Sequence, residues 1–161
     1  MKKYRDNGAI GALLDEYERA IEDLQAVLAP ISNQALVTIV DTKTTDPDCI
    51  SIQTILAHVV KAGYNYAIAI RNNLGETLGY RQAIPLKSVA AYQEELKQMF
   101  TYNEQLFEDY PTIVLAEHSS QKKILVSWGQ RYDVEQLMEH AIVHILRHRR
   151  QIERFKIKMS V

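Results

Sequence analysis

Apolar residues recur along the chain at steps of three and four positions in four long stretches. This spacing lines one face of an α-helix, so each stretch predicts an amphipathic helix. The first stretch begins at Ile10 and ends before Pro30, and the second begins at Ser51, a residue type that favours helix N-termini. The predicted buried positions are Ile10, Leu13, Leu14, Tyr17, Ile21, Leu24 and Leu28 in the first helix, and Ile52, Ile55, Leu56, Val59, Gly63, Tyr66 and Ile70 in the second.

The other two stretches also have recognisable ends. Pro85 and Pro111 bracket the third, in which Ser88 can cap the helix. Asp133 and Gln136 resemble a capping box, and they open a fourth helix predicted to reach about Met159. The predicted buried positions are Val89, Tyr92, Leu96, Met99, Leu106 and Tyr110 in the third helix, and Val134, Met138, Ala141, Ile145, Ile152, Phe155 and Met159 in the fourth.

The segment between Thr112 and Tyr132 has a different pattern. Two short apolar runs, "TIVL" and "KKILVSW", flank the polar "EHSSQ", which predicts extended segments or a small hairpin. In "SWGQRYD", Trp128 and Gly129 are expected to be a packing anchor and a turn. Four long helices with short to moderate connections predict an all-α fold, a four-helix bundle forming one domain over residues 1–161.

The charge and cysteine content of the chain limit the classes of binding partner and the cellular location that we expect. The formal net charge is -1, so the chain lacks the general positive field that non-specific nucleic-acid binding requires. Cys49 is the only cysteine, which excludes an intramolecular disulfide and a zinc site built from several thiolates. With no recognisable export signal and no long uncharged apolar run, we expect a cytoplasmic protein that does not enter a membrane.

Three of the five histidines lie four residues apart in "HAIVHILRHRR". On a helical wheel His148 falls in the apolar stripe between Ile145 and Ile152, His144 lies about 40° to one side, and His140 lies about 80° away on the flank. Two imidazoles one turn apart can hold one metal ion, although no glutamate here supplies the general base of an HExxH motif. We therefore expect His144 and His148 to face inward and His140 to lie beside the site or at the surface.

A third ligand is predicted on the second helix. His58 lies in line with Ala62, Tyr66 and Ala69, and the small neighbours leave room for an ion. Three imidazoles from two helices would leave positions open to water or substrate, as catalytic sites do. The alternative is that the histidines are ordinary hydrogen-bonded core residues. His118, in the polar loop, is expected to be solvated.

The basic residues that follow the histidines have two interpretations. Cations in the last turns of a helix favourably meet the negative end of its dipole, which accounts for most of them. If some border the metal cavity, they would instead favour an anionic substrate such as a carboxylate-bearing thiol. These residues are Arg147, Arg149, Arg150, Arg154, Lys156 and Lys158.

The histidine segments resemble a known family. "SIQTILAHVV" and "HAIVHILRHRRQI" are similar to the second-helix and fourth-helix motifs of the DinB/YfiT-like superfamily, bacterial four-helix proteins with a metal site, and the resemblance spans nearly the whole chain. It implies the ligands His58, His144 and His148. It also implies that Arg149 and Gln151 support helix packing or contact the ligands. Arg150 stands where the family motif has glycine.

Two functions follow as hypotheses. The first is a metal-dependent enzyme in which a divalent ion, Zn²⁺ or Ni²⁺, activates a low-molecular-weight thiol or a water against a small electrophile, as a thiol-dependent S-transferase or a related transferase or hydrolase does. The second is a non-catalytic dimeric helical stress-response protein whose metal site is structural or sensory. The resemblance implies a homodimer in either case. Cys49 is not expected to act as a nucleophile.

Overall fold

A computed structural model describes residues 4–161 of the chain. Five α-helices dominate it, and the all-α class is confirmed. They are α1 (Gly8–Leu28), α2 (Asn33–Val37), α3 (Ile52–Asn73), α4 (Val89–Asp109) and α5 (Val134–Met159), with a 3-10 turn at Pro47–Cys49 before α3. A two-residue strand, β1 (Ile124–Leu125), pairs antiparallel with β2 (Arg131–Tyr132).

The predicted capping residues begin three of the long helices. The Ser51 hydroxyl accepts from the Thr54 backbone N–H, and the Ser88 hydroxyl accepts from that of Ala91. Asp133 and Gln136 form the predicted capping box at the start of α5. Each cap satisfies a backbone donor that the first helical turn leaves without a partner, which fixes where the helix begins.

The four long helices pack around one continuous apolar core. Helix α3 contacts α4 and α5, and α1 contacts the same two helices. The predicted apolar positions are buried, except that Leu13, Tyr110 and Met159 are only partly so. Gly63 permits close approach of α3 to α4, because a Cβ at this position would overlap Met99. The helices therefore hold the residues of α3 and α5 in fixed register across the core.

The expected extended segment is present as the short β1–β2 hairpin. Gly129 adopts a φ of +85° in the turn, a conformation that glycine allows without strain. The Trp128 ring packs against those of Tyr66, Tyr132 and His140, but the residue is 46% exposed, so it packs at the edge of the fold and not in the core. Ile124 and Val126 bury their side chains in its place, while the tight turn holds Trp128 outside the core.

The connections contain two elements that the apolar pattern did not predict, α2 and the 3-10 turn. The Asp46 carboxylate caps the 3-10 turn by accepting from the Asp48 backbone N–H. This turn contacts α3 and brings the acidic loop against the second turn of that helix. Within residues 4–161, no helix combines the length and apolarity needed to cross a membrane.

Candidate functional site

The three predicted histidines converge on one point between α3 and α5. His58 Nε2 lies 3.0 Å from His144 Nε2, which in turn lies 3.2 Å from His148 Nε2. Their ligand atoms all lie within 4.8 Å of one another, so the cluster could hold a metal ion. His144 is buried, at 5% exposure, and the other two are half-buried.

The outer ring nitrogens of two of these histidines are held by hydrogen bonds. His58 Nδ1 lies 2.9 Å from a carboxylate oxygen of Asp48, in the 3-10 turn. His148 Nδ1 lies 3.1 Å from Gln151 Oε1, three residues further along α5. Both partners are acceptors, so each Nδ1 carries the proton and donates it. The lone pairs of both rings are consequently on Nε2, facing the common point, as in metal sites with supporting carboxylates.

The arrangement fits a cation better than it fits a proton. A single proton on His144 Nε2 can serve only one of the two facing lone pairs well, whereas one ion among the three rings serves all three. Tetrahedral zinc with Zn–N bonds of about 2.0–2.1 Å places its nitrogen ligands about 3.3 Å apart. The two shortest separations, 3.0 and 3.2 Å, are close to that spacing.

Burial keeps two of the rings neutral. Burial, together with the neighbouring His148 and His58, lowers the pKa of His144 to about 2. Burial, with a contribution from His58, also lowers the pKa of His148 to about 4. The neutral imidazole is the form that ligates metal ions, so these rings are ready to bind one at neutral pH.

A cavity of about 1060 Å³ adjoins the histidine cluster. His58 and His144 line it, and the small side chains of Ala62 and Ala69 leave the space that the sequence predicted. The tip of the β1–β2 hairpin forms another wall. The cluster is therefore open on one side to a volume that a small organic molecule can fill.

Aromatic rings form the wall beside the cluster. The Trp128 and His140 rings stack at 5.3 Å between centroids, and the Tyr66 ring meets both edge-on. His140 thus lies beside the site, as expected, and is outside the group of three ligand histidines. Burial and the charge of Arg147 lower the pKa of His140.

The basic residues of α5 divide between two roles. Arg147 lines the cavity, together with Lys61 from α3. Arg149 instead bonds Asp23 of α1 at 2.9 Å, and the Lys156 ammonium donates to a backbone carbonyl of α1. Arg147 therefore borders the cavity, while Arg149 ties α5 to α1.

The loop between α3 and α4 covers one side of the cavity and is fastened to the helices. The Asn65 side chain bonds both backbone groups of Arg81, and the Asn72 side chain does the same for Leu78. Near the end of the loop, Gln53 donates to the Leu86 carbonyl, and the Tyr92 hydroxyl accepts from the Leu86 N–H. We call residues 74–88 the strap.

Two other predicted residues lie as expected. His118 is exposed in its loop. The Cys49 thiol lies 3.4 Å from Asp46 and 3.9 Å from Gln151. Burial and the nearby carboxylates raise the pKa of this thiol, so it is a poor nucleophile at neutral pH.

Sequence reasoning missed the contribution of Asp48 and the exposure of Trp128. Asp48 follows a proline in a polar loop, where an acid is ordinarily solvated, and its contact with His58 depends on the path of that loop. A usable signal was the turn-forming "DPD" ten residues before a suspected ligand histidine.

The chain was also compared with known proteins. No protein-family model matches it, and no match was found among curated proteins or solved structures. The possible metal site is therefore supported by the geometry of the chain's own residues.

Proposed function

We propose that the protein is a metal-dependent enzyme of the DinB/YfiT-like type, in which His58, His144 and His148 hold a divalent ion, Zn²⁺ or Ni²⁺. The observation that carries this proposal is the convergence of three imidazole Nε2 atoms, two of them at 3.0 and 3.2 Å from the third. When bound, the ion supplies Lewis acidity, which lowers the pKa of a thiol or water beside it.

The reaction proposed is attack by the sulfur of a low-molecular-weight thiol, or by the oxygen of water, on a small electrophile. The new bond replaces the bond to a leaving group, which departs with its electron pair, and the proton of the thiol or water passes to the leaving group or to solvent. The chain's own residues prepare the site for it. Asp48 and Gln151 hold the Nδ1 protons of His58 and His148, which keeps both rings in one orientation. Burial raises the pKa of Tyr66 well above its usual value, so its hydroxyl stays protonated on the cavity wall and can donate a hydrogen bond to a substrate.

The cavity favours an enzyme over a purely structural or sensory metal site. A structural ion is enclosed by protein ligands, whereas His58 and His144 border about 1060 Å³ of open volume. As parts of the same proposal, the four long helices form a four-helix bundle, the protein is a cytoplasmic homodimer, and neither nucleic acid nor membrane is a partner.

Metal content and thiol transfer test the proposal together. The chain, purified without an affinity tag, is analysed for bound metal and assayed for consumption of thiols with a small electrophile, with and without chelator. We expect stoichiometric Zn²⁺ or Ni²⁺ and activity that chelation abolishes. His148→Ala should lose both, while His118→Ala, which changes an exposed histidine, should lose neither.

Two results would contradict the proposal. Full metal stoichiometry in His148→Ala would mean that the ion sits elsewhere. Stoichiometric metal at the three histidines without thiol transfer or hydrolysis in any assay would favour the structural or sensory alternative.

A further inference from the structure

The cavity beside the histidine cluster is lined by cations. Lys61 follows His58 by three residues on α3, and Arg147 follows His144 by three on α5, so each lies on the same face of its helix as the histidine. Arg81 of the strap is the third cation. Among the cavity-lining residues in the described part of the chain there is no aspartate or glutamate.

Two of these cations are available to a ligand. The Arg81 guanidinium lies 3.4 Å from the centre of the Tyr64 ring and 3.7 Å from a Glu95 carboxylate oxygen, so it is already engaged. Lys61 and Arg147 take part in none of the ion pairs formed among residues 4–161. The positive charge of Arg147 nevertheless reaches the site, since it lowers the pKa values of His140 and His144.

Trp128 gives the cavity a fixed aromatic surface. The residue is 46% exposed, and its ring stacks on that of His140 at an interplanar angle of 26°. Its indole N–H donates to Gln130 Oε1 at 3.0 Å. An immobilised, half-exposed tryptophan on a cavity wall offers an apolar face to a planar ligand at little entropic cost.

We infer that the cavity binds a carboxylate-bearing substrate with a planar apolar part, its carboxylate at Lys61 and Arg147 and its planar part against Trp128. The inference rests on the proposed function, since it names the substrate class for that site. Cations without an ion-pair partner attract an anion, and the aromatic wall offers the planar part of the ligand an apolar surface.

The helix geometry favours a carboxylate over a phosphate. Phosphate sites commonly use the backbone N–H groups of a helix N-terminus. The residues of α3 and α5 that line this cavity, from His58 to Ala69 and from His140 to Arg147, begin at least six residues after the start of each helix. At those positions the backbone N–H groups are bonded within the helix, which leaves separate side-chain cations as the charged partners.

Four small probes test the inference by calorimetry and by quenching of Trp128, the only tryptophan of the chain. Phenylacetate carries both features, phenylacetamide lacks the charge, acetate lacks the ring, and phenyl phosphate changes the anion. We expect phenylacetate to bind about tenfold or more tightly than phenylacetamide and acetate. Equal affinity for phenylacetate and phenylacetamide, or tighter binding of phenyl phosphate, overturns the inference.

Matched variants locate the contacts. Lys61→Gln and Arg147→Gln should each weaken phenylacetate about threefold to tenfold and leave phenylacetamide unchanged. Arg147→Lys should retain most of the affinity. Arg150→Gln, which removes an exposed cation of the same helix outside the cavity, should have no effect. Trp128→Leu, followed by calorimetry, should weaken both aromatic probes. An unchanged phenylacetate affinity in the Lys61→Gln, Arg147→Gln double variant overturns the inference.

The same titrations with the protein as purified and after chelation separate this inference from the proposed function. Charge-dependent phenylacetate binding that survives chelation supports the cationic cavity even if no metal-dependent activity exists. Phenylacetate binding that disappears on chelation, and is insensitive to Lys61→Gln and Arg147→Gln, places the carboxylate on the ion and contradicts the inference while leaving the metal site intact.

Discussion

Helix α3 carries two polar clusters, and they differ in how the protein satisfies them. Near its C-terminal end the buried Arg71 donates to Glu76 at 3.0 Å and to Asp109 at 2.6 Å. Near its N-terminal end His58 joins two other histidines whose lone pairs face one another. The first cluster supplies its own countercharge, whereas the second could hold a metal ion.

The Arg71 cluster bears on stability, whereas the histidine cluster is the candidate functional site. A buried cation whose charge is balanced by neighbouring carboxylates needs no further partner, and removing one member of such a group destabilises the fold. Imidazoles are costly to bury without full partners, and a cation among the three rings would offset that cost. Substitutions in the two clusters are therefore expected to affect different properties, metal affinity for the histidines and folding stability for Arg71.

The largest expected effect is on metal affinity. Four-ligand zinc sites bind with about 10–16 kcal/mol, so one ligand contributes about 3 kcal/mol, or roughly a hundredfold in affinity. We expect His144→Ala to weaken Zn²⁺ binding by at least about a hundredfold in competition with a chromophoric chelator. Arg71→Met should leave the affinity unchanged. Equal losses in the two variants would mean that the clusters are not distinct.

The next effect is on folding. Arg71→Met removes the cation that two carboxylates share, and we expect the free energy of unfolding to fall in urea denaturation. His144→Leu in chelator-treated protein should leave this free energy unchanged or raise it, because an apolar side chain replaces a buried imidazole. A strong destabilisation by His144→Leu would show that the histidine cluster is itself a structural element.

A smaller effect is expected at the support of His58. Asp48→Ala removes the acceptor of its Nδ1 proton, and loss of such a partner typically weakens metal binding about tenfold to a hundredfold. Asp46→Asn is the control, since it removes a neighbouring charge and keeps an oxygen that can cap the 3-10 turn. If Asp46→Asn weakens binding as much as Asp48→Ala, the effect is one of general charge and not of the hydrogen bond to His58.

The last prediction concerns the dependence of stability on pH. The folded-state pKa values of His144 and His148, about 2 and about 4, lie below the ordinary value of 6.5, so the unfolded chain binds more protons as pH falls. The stability of chelator-treated protein should therefore be greatest above pH 6.5 and decline from there toward pH 4. His144→Leu should flatten this decline, and an identical slope in the two proteins would contradict the burial of His144.

The sequence was sufficient wherever a local pattern decides the structure. Ser51, Ser88 and Asp133 cap helices because each satisfies donors within its own next turn. The convergence of His144 and His148 follows from helical periodicity, which also placed His58 on the correct face of α3. These features depend on neighbours in sequence or on the division between core and solvent.

The sequence was insufficient where a loop decides the contact. Asp48 reaches His58 through the 3-10 turn, whose packing against α3 no periodicity reveals. Trp128 is large and apolar, as core residues commonly are. It lies outside the core because it belongs to the turn between two strands of only two residues each. Arg147 faces the cavity and Arg149 faces Asp23 of α1, and this difference depends on how α5 packs against its neighbours. Such contacts are fixed by tertiary packing.

The strap between α3 and α4 has a consequence for which molecules can enter. Side chains of α3 and α4 form hydrogen bonds with its backbone at Leu78, Arg81 and Leu86. The strap therefore cannot move away from the cavity without breaking several hydrogen bonds. This side of the cavity opening therefore keeps one width, and we expect it to limit the breadth of the molecules that can reach the histidines.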